Sequence, residues 1–122
     1  MKKIIRKIKV FFVTAFANHE YKKNVAKALE LANTHYCPYY VAVKPEGKGL
    51  YIINRKAFRH IKRQINTAAI WRGLGPINAD TMEDLKRGCF YHTNIKPREK
   101  ELRRLAYINY VLDLAGIKKE AN

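Results

Sequence analysis

Two short runs near the middle of the chain limit its fold more than any other feature. Residues 39–44 (YYVAVK) and 50–54 (LYIIN) are rich in β-branched and aromatic side chains, and the intervening PEGKG supplies turn-forming proline and glycine. This pattern predicts a β-hairpin with a slightly long loop. Because alternate positions of both strands are apolar, we expect neither face of the hairpin to be open to water. Helices must therefore cover it.

Helical periodicity dominates the rest of the chain. The cap and stop signals that bound the expected helices are Asn18, Asn54, Asp80 or Thr81 with Asp84, Gly88, Pro97 and Gly116. The last helix is apolar almost all round in its second half, so we expect it to be the most buried element. Residues 89–94 suit a short strand and an extended connection equally well. Residues 1–122 contain no repeat or linker, which predicts a single helix-rich α+β domain of order roughly ααββααα, with a central β-hairpin packed under helices.

Residues 2–17 form a cationic amphipathic helix on a helical wheel. One side of it, which we name the N-terminal stripe, consists of Ile4, Ile5, Ile8, Phe11, Phe12, Ala15 and Phe16. The other side carries Lys2, Lys3, Arg6, Lys7 and Lys9. Such a helix can lie on a membrane, and its basic start followed by a short apolar run also imitates a signal peptide. We expect instead that the stripe packs on the core of this protein, and we do not expect a membrane partner.

The charge balance is the strongest global indication of function. The chain has 25 Lys and Arg against 10 Asp and Glu, a formal net charge of +15. Self-repulsion at that charge opposes folding, and binding to a phosphate polymer is its commonest explanation; anionic lipids and acidic proteins are the competing ones. The two cysteines, Cys37 and Cys89, are too few for a disulfide-dense secreted scaffold, which favours the cytoplasm.

A basic segment between Glu46 and Asp80 contains no acidic residue. Its cations are Lys48, Arg55, Lys56, Arg59, Lys62, Arg63 and Arg72. Structural helix faces usually mix signs, so this segment predicts a surface that contacts phosphates, with an ordinary solvated face as the alternative. Trp71 and Tyr51 are aromatic groups that could stack on unpaired bases. We expect support from the first helix and from Lys96, Arg98, Lys100, Arg103 and Arg104.

Two His/Cys pairs form the one candidate metal set. His35 with Cys37 and Cys89 with His92 supply two imidazoles and two thiols, the donors that a tetrahedral zinc site uses. Their spacing is not that of a standard zinc finger. We therefore expect no metal and no cofactor, and keep this set as an alternative.

Enzyme motifs are absent from the sequence: it has no phosphate-binding GxxxxGK[ST], no GxSxG and no HExxH. We predict a small, non-catalytic protein that binds DNA or RNA through the cationic helix face, with a protein partner or self-association left open. One alternative is a structural or assembly component of a virus-like or ribonucleoprotein particle. Another is a metal-independent or zinc-containing nuclease that uses His60 or His92 to move protons.

Overall fold

A computed structural model of the chain describes residues 2–44, 47–61 and 81–117 and confirms the helix-rich α+β architecture. The described elements are α1 (Lys2–His35), β1 (Tyr39–Val43), β2 (Leu50–Asn54), α2 (Arg55–Ile61), α3 (Met82–Gly88), β3 (Tyr91–His92) and α4 (Pro97–Leu114). The three strands form one antiparallel sheet of order β2-β1-β3. Of the two conformations that suit residues 89–94, the structure thus has the short strand.

The central strand β1 separates two hydrophobic clusters. Its side chains alternate between the two faces of the sheet, as in any strand. Tyr39, Val41 and Val43 join the larger cluster, which includes residues of α1 and α4. Tyr40 and Ala42 join the smaller one, which includes residues of α2 and α3. All five residues of β1 are buried, which confirms that helices cover the hairpin on both faces.

One long helix replaces the two that we predicted at the N-terminus. The sequence indicated a break at Asn18, but α1 continues through that position to His35. Asn18 caps no helix, because its Oδ1 atom accepts a hydrogen bond of 2.8 Å from Nη1 of Arg104 in α4. Neither glycine nor proline occurs in the chain before Pro38, so nothing in the backbone chemistry ends the helix earlier.

The other cap predictions are confirmed. Asn54 Oδ1 accepts a hydrogen bond of 2.8 Å from the backbone nitrogen of Ala57 at the start of α2. Thr81 and Asp84 form a reciprocal capping box before α3. Pro97 opens α4, and Gly116, with a φ of 76°, follows its end. Each of these signals acts through neighbouring residues, which is why the sequence located them well.

The predicted burial of the N-terminal stripe is wrong. Its six large side chains are each 52–68% exposed, namely those of Ile4, Ile5, Ile8, Phe11, Phe12 and Phe16. The core contacts of α1 begin at Ala17 and continue through Tyr21, Val25 and Ala28. None of the helices in the described ranges combines the length and the apolar content that crossing a bilayer requires.

Candidate nucleic-acid interface

The turn from β2 into α2 fixes the direction of three predicted cations. Asn54 ends the strand and caps the helix, so α2 begins with no connecting loop. Phe58 is buried in the smaller cluster with Leu85 of α3 and anchors one side of α2. Arg55, Lys56 and Arg59 remain exposed. A single buried aromatic residue thus holds a short helix so that its cations face outward.

These cations lie along a groove with a volume of about 790 Å³. The residues that line it are Cys37, Pro38, Tyr40, Asn54, Arg55, Lys56, Arg59, Met82 and Lys86. The fourth cation, Lys86, comes from α3 and is exposed. We did not predict it, because α3 carries mixed charges along the chain and only the folded structure brings Lys86 beside α2.

The electrostatics of the groove are one-sided in the part of the chain that the structure describes. None of the residues lining it is acidic. The ion pairs found among the described residues join Arg87 to Asp84, Arg103 to Glu99 and Arg104 to Glu101, all outside the groove lining. With low-charge walls around several cations, such a concave surface concentrates positive potential and attracts polyanions.

Tyr40 adds a neutral donor at the groove. Its side chain is buried on one side by the smaller cluster and also lines the groove. Burial raises the pKa of Tyr40, and the nearby positive charge of Arg55 opposes only part of that rise. The hydroxyl therefore keeps its proton at neutral pH. A protonated hydroxyl can donate a hydrogen bond to a phosphate or sugar oxygen.

The remaining predicted contact residues are distributed differently. Lys48 is exposed between β1 and β2 but does not line the groove. Lys62, Arg63, Arg72 and Trp71 lie outside the described residues. Tyr51 is half-buried against the smaller cluster, and its hydroxyl is buried without a hydrogen-bond partner among the described residues. Burial raises the pKa of Tyr51 to about 12. Its packing is that of a core residue, so the stacking role predicted for it finds no support.

Two arginines that we expected to assist binding have structural roles instead. Arg103 is only 4% exposed, and its Nη1 donates to the carbonyl oxygens of Lys86 and Cys89 at 2.8 and 2.6 Å. Its Nη2 donates to Glu99 at 2.8 Å. Arg104 donates to Asn18 and pairs with Glu101. Arg103 in particular is unavailable to a polyanion, because its guanidinium group satisfies backbone carbonyls at the end of α3.

The four candidate zinc ligands do not form a metal-binding group. No three His, Cys, Asp or Glu side chains come together suitably for a metal within residues 2–44, 47–61 and 81–117. His35 Nδ1 shares a hydrogen bond of 2.5 Å with the Tyr39 hydroxyl. Cys89 is fully buried, and burial raises its pKa to about 11, so it is a protonated thiol at neutral pH. A protonated thiol is a poor metal ligand.

The two histidines of the nuclease alternative lie on different elements. His60 is exposed on α2. His92 is in β3, half-buried, with its ring 6.2 Å from that of Tyr40 between centroids. Burial, and then the charge of Arg103, lower the pKa of His92. A neutral imidazole can accept a proton, but the geometry shows no arrangement that directs either ring at a substrate.

Comparison of the chain with models of protein families, with curated proteins and with solved structures found no match.

Proposed function

We propose that this protein is a non-catalytic nucleic-acid-binding protein that holds the phosphate backbone in the groove between α2 and α3. The observation that carries the proposal is that Arg55, Lys56, Arg59 and Lys86 line one groove whose described lining contains no acid. Arginine presents a planar set of donors that fits two phosphate oxygens, and lysine adds a mobile positive charge. Three of the four cations follow each other at helical spacing along α2.

The binding mode is mainly electrostatic. The groove supplies cations and the Tyr40 hydroxyl, whereas no recognition helix or aromatic platform is found among the described residues. Phosphate contacts position a protein on a nucleic acid but do not read its sequence. We therefore expect similar affinity for different sequences and a steep loss of affinity as salt rises. Because Cys37 and Cys89 are both free thiols, we assign the protein to the cytoplasm.

The test is a salt titration of binding to a labelled DNA duplex, a DNA single strand and an RNA single strand. In the variant R55Q/K56Q/R59Q, glutamine keeps polar character and removes three charges from α2. We expect the affinity for duplex to fall at least about tenfold, and the slope of log K against log salt to shrink by about 0.9 for each phosphate that the protein no longer neutralises. The variant K86Q should reduce the slope by about 0.9, the value for one phosphate, which would show that α3 shares the site.

A matched control removes the same number of charges from another helix. Lys22, Lys23 and Lys27 are exposed on α1, so K22Q/K23Q/K27Q should leave the salt slope close to the wild-type value. If both triple variants weaken binding equally, the protein binds polyanions through its overall charge and the groove is not the site. If R55Q/K56Q/R59Q binds like the wild type, the proposal is wrong. Cleavage of the labelled strands during long incubation would replace the non-catalytic proposal with a hydrolytic one.

A further inference from the structure

The N-terminal stripe is the largest apolar surface of the described chain that the proposed function does not use. Its six large side chains follow one another along residues 4–16, and each is more than half exposed. A protein rarely exposes so continuous an apolar patch unless something covers it. These residues amount to nearly four helical turns, about 20 Å of helix.

The stripe points away from the body of the protein. At about 100° per residue, it lies roughly opposite the side of α1 that carries Ala17, Tyr21, Val25 and Ala28. Those four residues are buried in the larger cluster. The smaller side chains on the core-facing side of the first turns, Val10, Val13 and Thr14, are half-buried. The same helix is thus anchored by one face and exposes an apolar surface on the other.

The charges around the stripe indicate what covers it. Lys7 and Lys9 are exposed and lie at its two edges on the helical wheel. Lys2, Lys3 and Arg6 add further positive charge to the same segment, and the first acidic residue of the chain is Glu20. An apolar stripe flanked by cations and without acids is the pattern of helices that lie in the interface of an anionic bilayer.

Self-association through the stripe fits these charges less well. Two copies packed stripe to stripe would bring two cationic segments together, and no acidic side chain precedes Glu20 to form ion pairs between them. Helical dimers normally use opposite charges beside the apolar seam to choose a partner and an orientation. Each chain also has a formal net charge of +15, which adds to the repulsion between copies.

We infer that the first four turns of α1 bind the surface of an anionic phospholipid bilayer, with the N-terminal stripe among the acyl chains and the flanking lysines at the headgroups. The segment lies on the bilayer and does not span it, because it is too short to cross the hydrocarbon core. Apolar insertion and electrostatic attraction act together, so both should be needed for firm binding.

Co-sedimentation of the full chain with vesicles tests this inference. After nuclease treatment, we expect binding to vesicles made of equal parts phosphatidylcholine and phosphatidylserine, and at least about tenfold weaker binding to phosphatidylcholine alone. The variant I8Q/F11Q/F12Q should bind the anionic vesicles at least about tenfold more weakly, because three apolar groups no longer enter the bilayer. Glutamine has good helix propensity, so α1 should remain helical, which circular dichroism will verify.

The control places the same polar side chain at exposed apolar positions elsewhere. Leu29, Leu102 and Leu105 are 39%, 61% and 45% exposed, and L29Q/L102Q/L105Q should bind vesicles like the wild type. The variant R55Q/K56Q/R59Q should also bind anionic vesicles normally, so the nucleic-acid proposal and this one can fail separately. A second variant, K7Q/K9Q, should weaken binding to anionic vesicles only.

Three results would overturn the inference. The first is a wild-type chain that stays in the supernatant with anionic vesicles, or an I8Q/F11Q/F12Q variant that sediments like the wild type. The second is a wild-type dimer in sedimentation velocity that this variant converts to monomer without any lipid effect, which would assign the stripe to a second copy. The third is a clear loss of folding stability in the variant, which would show that the stripe packs within its own chain.

Discussion

Arg103 in α4 and Arg59 in α2 carry the same guanidinium group in opposite surroundings. Arg103 is 4% exposed and donates to two carbonyl oxygens and one carboxylate. Arg59 is exposed, lines the groove and belongs to none of the ion pairs found among the described residues. The total positive charge of the chain therefore contains two populations. One holds the fold together, and the other is directed at solvent.

The position of acidic residues along each helix explains the difference. In α4, Glu99 precedes Arg103 by four residues and Glu101 precedes Arg104 by three, spacings that bring opposite charges together on a helix. Helix α2 has no acidic residue in its sequence RKAFRHI. A cation with an acid three or four residues before it is a candidate for a structural role, whereas a helix without acids keeps its cations for another partner.

The two populations are also connected. Arg103 donates to the carbonyl oxygen of Lys86, in the last turn of α3, where helical carbonyls lack partners within the helix. The Lys86 side chain lines the groove. The buried arginine of α4 thus fixes the end of the helix that presents one of the exposed cations.

The sharpest test of this comparison substitutes each arginine with glutamine. R103Q leaves the carbonyl oxygens of Lys86 and Cys89 buried without their donor, so we expect it to lower the free energy of unfolding by about 2–4 kcal/mol. R59Q removes an exposed side chain and should change it by less than about 0.5 kcal/mol. Urea denaturation followed by circular dichroism measures both values. Equal stability of the two variants would mean that the contacts of Arg103 contribute no net stability.

An intermediate effect is expected at Arg104, whose side chain is 24% exposed. Its hydrogen bond to Asn18 joins α4 to α1, and R104Q should lower the free energy of unfolding by about 1 kcal/mol. A double-mutant cycle with N18A should give a coupling energy of about 0.5–1.5 kcal/mol. If the two substitutions were additive, the hydrogen bond between the helices would contribute nothing, and the stabilising role of Arg104 would rest on Glu101 alone.

Local signals and tertiary contacts divide what the sequence could predict. The hairpin and the Asn54 and Thr81 caps depend on residues a few positions apart, and the structure confirms them. The continuity of α1 depends on an arginine 86 positions beyond Asn18, and no local pattern contains that information. The second half of α4 is less buried than we predicted, since Leu105 and Leu114 are 45% and 47% exposed. The most buried element is β1, because the sheet gives it two neighbours and helices cover both its faces.

The candidate site shows the same division. Helical spacing alone placed Arg55, Lys56 and Arg59 together, and they do line one groove. Lys86 joins them only because Phe58 and Leu85 pack on the same face of the sheet and bring α2 beside α3. Conversely, the burial of Arg103 could have been suspected from Glu99, the acid one turn earlier in α4. Acid spacing was the available signal that separates structural cations from exposed ones.

The smallest expected effect concerns pH and the partner of Arg103. The hydrogen bond and charge of Arg103 lower the pKa of Glu99 in the folded state below its ordinary value of 4.5. A carboxylate with a depressed folded-state pKa stabilises the fold at pH values above 4.5, and this contribution is lost as pH falls through the lowered pKa. Because Glu99 is 43% exposed, solvent screens the pair, and E99Q should cost less than about 1 kcal/mol at neutral pH.

Measuring the unfolding free energy of the wild type and of E99Q between pH 7 and pH 3 tests this. Their difference should be constant near neutral pH and shrink towards zero as the wild-type carboxyl becomes protonated below about pH 4.5. A difference that persists at pH 3 would mean that Glu99 acts through packing or helix propensity and that its charge is not what holds Arg103. The same titration of E99Q in the R103Q background should be flat, because without the guanidinium group the carboxyl loses the main cause of its lowered pKa. A remaining pH dependence there would assign the shift to the positive end of the α4 dipole, since Glu99 lies in the first turn of that helix.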